Sequence, residues 1–143
     1  MRTIKLLLLI PVLFLSACAC NAPLEILGQG NRVGFRTEEP YRIAMLEVAA
    51  WSRDGERKPT WRIENAEVGG VYYATHSPSF ETTFEPSRLD FGVYSVRFEC
   101  TSENGKRCKR EQLFAITAPD GLALECKTRQ QCQSLVLDAV TAR

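Results

Sequence analysis

The stretch LDFGVYSVRFECTSENGKRCKREQLFAI, residues 89–116, constrains the fold more than any other part of the chain. Apolar and polar residues alternate through its first half, as they do in a strand with one buried face. The apolar row consists of Tyr94, Val96, Phe98 and Cys100. Asn104-Gly105 then marks a turn, so the segment predicts a β-hairpin.

The length of the hairpin loop decides whether Cys100 and Cys108 lie on the same face. A two-residue turn would pair residue 100 with 109 and place the two cysteines on opposite faces. A three-residue loop, with Gly105 in a left-handed conformation, pairs 100 with 108 and puts both cysteines on the core side. Disulfide geometry is then reachable. We predict this loop and a Cys100–Cys108 bond. On this register two polar residues of the second strand, Arg110 and Gln112, fall on the same row as Cys108.

Other short runs after residue 23 are rich in β-branched and aromatic residues and are separated by Gly and Pro. Residues 41–51 are ambiguous, because Tyr41, Ile43 and Met45 alternate whereas residues 46–50 also suit a helix. Aromatic residues at both ends, and the turn residues that follow, favour a strand. Several short strands at this spacing predict a sandwich or a barrel.

The C-terminal part of the chain predicts a short helix over about residues 127–141. Thr128 and Gln131 have the spacing of a capping box. Apolar residues follow at helical spacing, namely Cys132, Leu135, Val136, Ala139 and Val140. We expect this stripe to pack on the sandwich, and a disulfide between Cys126 and Cys132 to staple the start of the helix.

Asp90, Gly92 and Tyr94 have the D-x-G-x-Y spacing that opens the F strand of immunoglobulin-like and PKD-like domains, and the segment resembles that corner. PTWRI, residues 59–63, resembles the C strand of the same domains, with Trp61 as the core aromatic. The resemblance implies a mainly-β fold, an immunoglobulin-like antiparallel β-sandwich, in which the tyrosine hydroxyl bonds to backbone just upstream. It says little about function, since this sandwich serves many.

Residues 1–17 have the layout of a signal peptide, with a basic start, an apolar run over residues 6–15 and small residues before the exit. The run is shorter than the about 20 residues of a transmembrane helix. Leu15-Ser16-Ala17-Cys18 resembles a bacterial lipobox. The resemblance implies that Cys18 is diacylated and N-acylated, for instance with palmitate, so that its lipid anchors the chain stably in the bacterial membrane.

The predicted organisation is therefore a signal peptide over 1–17, a lipidated tether over 18–23 and a sandwich domain with the C-terminal helix over 24–143. Ala19 is not the aspartate that often retains lipoproteins at the inner membrane. In a bacterium with two membranes, this implies a lipid-anchored, periplasm-facing protein of the outer membrane. Disulfides persist in that exported setting.

Cysteine parity bears on which residue carries the lipid. The chain has six cysteines. Lipid on Cys18 leaves an odd number, whereas lipid on Cys20 would leave four that pair evenly. Leu15 fits the third position before the cleavage site and Ala17 does not, so we predict Cys18 and leave Cys20 without an assigned role.

Residues that support catalysis are scarce. The single histidine, His76, has no second ligand at metal-binding spacing. The chain carries no GxSxG elbow, Walker loop or HExxH motif. Its formal charge of +1 carries no nucleic-acid signature. We therefore expect no enzyme activity, no cofactor, no metal and no nucleic-acid partner.

Two function classes are compatible with these features. The first is a membrane-anchored, non-catalytic binding or assembly module whose partner is an envelope protein. The second is an inhibitor or immunity lipoprotein that blocks a periplasmic enzyme or toxin. The candidate partner-binding residues are the hairpin cations Lys106, Arg107, Lys109 and Arg110. Lysines on an exposed edge also discourage aggregation, and an aromatic patch at Tyr72, Tyr73 and Phe80 is the alternative surface.

Overall fold

A computed structural model describes residues 24–29, 32–117 and 123–142 of the chain. The predicted signal peptide, tether and lipidation site Cys18 lie outside these residues. The described elements, in chain order, are β1 (Leu24–Gln29), β2 (Arg32–Thr37), β3 (Arg42–Trp51), β4 (Arg57–Glu64), β5 (Gly70–Tyr72), β6 (Glu81–Phe84), β7 (Gly92–Thr101), β8 (Arg107–Ile116), β9 (Ala123–Cys126) and α1 (Arg129–Thr141).

The strands form two antiparallel sheets that pack as a sandwich. One has the order β1-β2-β5 and the other has the order β6-β4-β3-β7-β8-β9. The predicted fold class, a mainly-β antiparallel sandwich with one short C-terminal helix, is confirmed. The ambiguous residues 41–51 contribute a strand, because β3 pairs with β4 on one side and with β7 on the other.

The core lies between the two sheets and is built from the inward rows of alternating residues. Phe35 of the small sheet meets Phe114 of the large sheet edge to face, with ring centroids 5.8 Å apart. Phe114 in turn stacks on Tyr94 at 5.6 Å. The largest side chains that are fully buried are Trp61, Phe35, Phe98, Phe114, Ile43, Leu46, Ile63 and Ile116. Burial of this apolar surface is what holds the sheets together.

The corner that opens β7 has the geometry its sequence predicts. The Tyr94 hydroxyl donates to the carbonyl of Asp90 at 2.9 Å and accepts from the Asp90 N–H at 3.1 Å. Trp61 is a fully buried core residue, as expected. Its strand β4 lies in the same sheet as β7 but is separated from it by β3, whereas the C strand of immunoglobulin domains lies beside F in the C-F-G sheet.

The hairpin between β7 and β8 has the predicted register and loop. Cys100 pairs with Cys108 in the ladder. Ser102 N–H donates to the Lys106 carbonyl at 3.0 Å, which closes a three-residue loop. Gly105 in that loop has φ of 74°, a conformation that glycine adopts without strain.

The predicted Cys100–Cys108 disulfide is wrong, even though the register that motivated it is right. Cys100 is a free, buried thiol. Cys108 is disulfide-bonded, so its partner is a cysteine other than Cys100. Hydrogen-bonded and non-hydrogen-bonded pairs alternate along the ladder. Counted from the bond between Ser102 and Lys106, residues 100 and 108 form a hydrogen-bonded pair, in which side chains stand farther apart. Facing positions are thus necessary for a bond but not sufficient.

Helix α1 lies on the outer face of the large sheet. The Thr128 hydroxyl caps it by accepting from the Gln131 N–H at 3.1 Å. The predicted disulfide between Cys126 and Cys132 is present, with 5.5 Å between the Cα atoms. Cys132 packs with the buried Val93 and Ala115 of the sheet beneath it.

The apolar stripe of α1 packs over only part of its length. Leu135 and Val136 are partly buried against the sheet, but Val140 near the C-terminal end is 51% exposed. Ala139, just before Val140, is also partly buried. The predicted stripe therefore faces the sheet except at Val140.

Candidate functional site

The basic tip, which we define as Lys106, Arg107, Lys109 and Arg110, lies at the exposed end of the β7–β8 hairpin. All four residues are exposed, whereas Cys108 between them is buried. The loop is held by the Gly105 N–H, which donates to the Ser102 carbonyl at 2.9 Å, and by the Lys106 N–H, which donates to the Ser102 hydroxyl at 3.2 Å. Lys106 lies in the loop, whereas the other three cations belong to the first residues of β8. Arg107 and Lys109 approach Glu99, while Arg110 follows Cys108 at period two and acts on Cys100.

One carboxylate on β7 neutralises part of the basic tip. Glu99 lies 3.5 Å from Arg107 and 3.8 Å from Lys109, measured between charged atoms. Its own side chain is only 16% exposed. Among the described residues Lys106 has no ion-pair partner, and Glu99 can balance only one of its two cations. A positive excess therefore remains at the end of the hairpin.

The free thiol behind the basic tip is chemically inert near neutral pH. Burial raises the pKa of Cys100 to about 12, and the charge of Arg110 offsets only part of that effect. A thiol must ionise to act as a nucleophile. Cys100 is therefore a core residue in this position, not a reactive one.

His76 does not sit in a catalytic arrangement. It is 64% exposed, and its nearest acidic partner, Glu85, is 3.9 Å away and 77% exposed. No group of three or more potential metal-ligating side chains occurs in the part of the chain that the structure describes.

The three aromatic residues of the alternative surface do not form one exposed patch. Tyr73 packs edge to face on Trp61 at 5.1 Å, and its hydroxyl donates to the Ser87 carbonyl at 2.5 Å. Burial raises the pKa of Tyr73. Phe80 is partly buried against the core. Only Tyr72 is exposed, at 39%, with the guanidinium of Arg32 lying 6.0 Å from its ring centroid.

Sequence reasoning missed a cleft on the outer face of the large sheet, between β8, β9 and the start of α1. The cleft has a volume of about 760 Å³ and is lined by Trp51, Glu125 and Arg129, among others. The Arg129 guanidinium lies 5.0 Å from the Trp51 ring centroid, and the Trp51 indole N–H donates to Ser95 at 3.0 Å. These residues come from distant parts of the chain, so no local motif signals them.

Beside this cleft, a charge network covers the outer face. Arg57 is only 13% exposed and lies 2.6 Å from Glu47 and 3.6 Å from Glu111. Glu111 also pairs with Arg97 at 3.1 Å. A network of ion pairs that joins β3, β4, β7 and β8 in this way suits a structural role.

Comparison with known proteins does not assign the chain to a family. No known protein family matches the chain, and no curated protein is significantly similar to it. Within the described residues, no helix has the length and apolar character needed to cross a bilayer.

Proposed function

We propose that this protein is a lipid-anchored component of the bacterial outer membrane that works by binding an envelope protein, without catalysis. The observation that carries the proposal is the sequence Leu15-Ser16-Ala17-Cys18 at the end of a short apolar run that follows a basic start. Two or three acyl chains on Cys18 would hold the domain firmly on a bilayer. The domain then acts at the periplasmic surface of that membrane.

The basic tip is the surface through which we expect binding. The hairpin is ordered before binding by its ladder and by its loop hydrogen bonds, so little conformational entropy is lost when it docks. Its excess positive charge fits a partner with an acidic surface. An assembly factor and an inhibitor could both use such a hairpin, and the identity of the captured partner separates these two roles.

Lipid labelling tests the anchor. Cys18→Ser should abolish incorporation of labelled lipid into the full-length chain, while Cys20→Ser should leave it intact. Label that survives in Cys18→Ser and disappears in Cys20→Ser would move the anchor to Cys20.

Affinity capture with the acylated protein tests the binding surface. We expect that replacing all four cations of the basic tip by glutamate weakens the complex at least about tenfold, mostly through slower association. The association rate should also depend less on salt concentration. Because reversal of Arg107 and Lys109 also brings carboxylates beside Glu99, a second variant combines Lys106→Glu with Arg107→Gln and Lys109→Gln. Lys58→Glu, an exposed lysine of β4 on the same sheet, is the matched control.

Unchanged binding in both hairpin variants, together with a loss in Tyr72→Ala, would place the site on the small sheet instead. A measurable turnover that is eliminated by His76→Ala would refute the non-catalytic role.

A further inference from the structure

A second depression lies on the outer face of the large sheet, between α1 and the start of β7. It has a volume of about 580 Å³, and we call it the helix groove, defined by the lining residues Trp51, Val93, Val136, Leu137 and Val140. Leu137 is 58% exposed and Val140 is 51% exposed, more than any other large apolar side chain of the described residues. The helix groove therefore has an open apolar wall and the size of a ligand pocket.

Cationic side chains lie at the end of the helix groove where α1 begins. Arg53 lines both the groove and a smaller polar depression beside it, and Arg129 lines that depression. The Arg129 guanidinium lies 5.0 Å from the Trp51 ring centroid. A Cβ at Gly55 would come within 2.5 Å of Nη1 of Arg129. The tryptophan ring and the glycine turn thus hold this guanidinium beside the groove.

This end of the helix groove carries more positive than negative charge. Among the described residues, neither Arg53 nor Arg129 has an ion-pair partner. Asp54 is the carboxylate that lines the polar depression with them, and the first turn of α1 contains no acidic residue. Two guanidinium groups against one carboxylate leave an excess positive charge. Guanidinium groups bind phosphate oxygens in bidentate geometry, so an anionic group with such oxygens fits this end.

The floor of the helix groove offers no backbone groups to an extended peptide. β7 pairs with β3 on one side, where Val93 faces Trp51, and with β8 on the other, where Gly92 faces Ile116. A peptide laid on this floor would bury backbone N–H and C=O groups without partners, which costs free energy. A hydrocarbon chain has no such groups and gains from apolar contact alone. The helix groove therefore suits an acyl chain better than a peptide strand.

We propose that the helix groove binds an anionic phospholipid of the bilayer, with the headgroup phosphate at Arg53 and Arg129 and an acyl chain along Leu137 and Val140. The helix rises about 16 Å from Arg129 to Val140, so the charged and apolar ends are separated as head and chain are in a phospholipid. The inference rests on the proposed function only in that a lipid anchor would keep the domain beside its ligand. Occupancy of the groove would hold α1 against the membrane surface.

Quenching of tryptophan fluorescence by brominated lipid tests the proposal. The full-length acylated protein is mixed with phosphatidylcholine vesicles that contain phosphatidylglycerol brominated near the headgroup end of its acyl chains. Bromine quenches tryptophan only at short range, and Trp51 lines the helix groove whereas Trp61 is fully buried in the core. We expect strong quenching by brominated phosphatidylglycerol, weaker quenching by brominated phosphatidylcholine, and none by either lipid in Trp51→Phe.

Variants separate the contribution of the head from that of the chain. Arg53 is exposed, so Arg53→Gln should leave the fold intact and raise the fraction of brominated phosphatidylglycerol needed for half-maximal quenching about fivefold. Leu137→Ser combined with Val140→Ser should raise that fraction at least about tenfold. Leu124→Ser, which changes an exposed leucine of β9 outside the groove, is the matched control and should leave quenching unchanged.

Equal quenching by the two brominated lipids, or quenching that is unaffected by the double change at Leu137 and Val140, would overturn the proposal. Absence of quenching together with weaker partner capture by that double variant would assign the helix groove to a protein partner instead. The anchor and the groove can fail separately. Lipid label on Cys18 without quenching would refute the groove alone, whereas quenching without lipid label would support the groove and refute the anchor alone.

Discussion

Removal of the Tyr94 hydroxyl tests how much the corner before β7 contributes to stability. In Tyr94→Phe the ring keeps its stacking on Phe114, but two hydrogen bonds to the backbone of Asp90, at 2.9 and 3.1 Å, are lost. A net hydrogen bond is worth about 0.5–1.5 kcal/mol. Asp90 is exposed, so water can replace part of what is lost. We therefore expect the free energy of unfolding to fall by about 1–2 kcal/mol.

Urea unfolding followed by tryptophan fluorescence measures this change. With a typical slope of about 1–3 kcal/mol per molar urea, the midpoint should fall by roughly 0.5–1 M at unchanged slope. Tyr72→Phe is the control, because Tyr72 is 39% exposed and its hydroxyl makes no hydrogen bond within the described residues; its midpoint should stay the same. Equal midpoints for the two variants would show that the corner does not stabilise the fold through its hydroxyl.

Three further predictions concern the core and the outer face. Replacement of Cys126 and Cys132 by serine should lower the free energy of unfolding by about 2 kcal/mol and speed amide hydrogen exchange in α1 first; uniform exchange would contradict a local staple. Because burial raises the pKa of Cys100 to about 12, the folded state favours the protonated thiol, so stability should fall as pH rises above the thiol's ordinary range toward 12, and less steeply in Cys100→Ala. Arg57→Leu should lower the free energy of unfolding by up to about 3 kcal/mol, because Glu47, whose side chain is only 13% exposed, keeps only its 3.5 Å contact with Arg62; Glu47→Gln added to it should restore stability if the pairing explanation is correct.

The fold could be predicted where local pattern and tertiary packing agree. The alternation of residues 94–100, together with a glycine suited to a left-handed turn, specifies the hairpin, its loop and its register. Residues 41–51 were harder, because a strand buried on both sides has little alternation left to distinguish it from a helix. Its pairing with β4 and β7 decides the matter.

The place of the four cations on the hairpin was predictable, but their ion pairs were not. The sequence shows four cations around one turn, but it does not show that Glu99 lies within 3.5 Å of Arg107. The cleft beside Trp51 and Arg129 escaped prediction entirely, because strands and helix from separate parts of the chain build it. Sequence patterns reveal features that depend on adjacent residues. They do not reveal a cleft or an ion pair between residues that are close only in space.

The amino-acid sequence by itself determined the strands, the three-residue hairpin loop, the helix cap and the features from which we infer an exported, lipidated chain. These follow from local rules, since side-chain alternation, left-handed glycine and capping depend on a few adjacent residues. Only the tertiary structure decided that Cys100 stays unpaired and which strand lies beside which. Cys100 and Cys108 face each other in the ladder and still do not bond, because a disulfide requires a specific separation and orientation in three dimensions, which register alone does not supply.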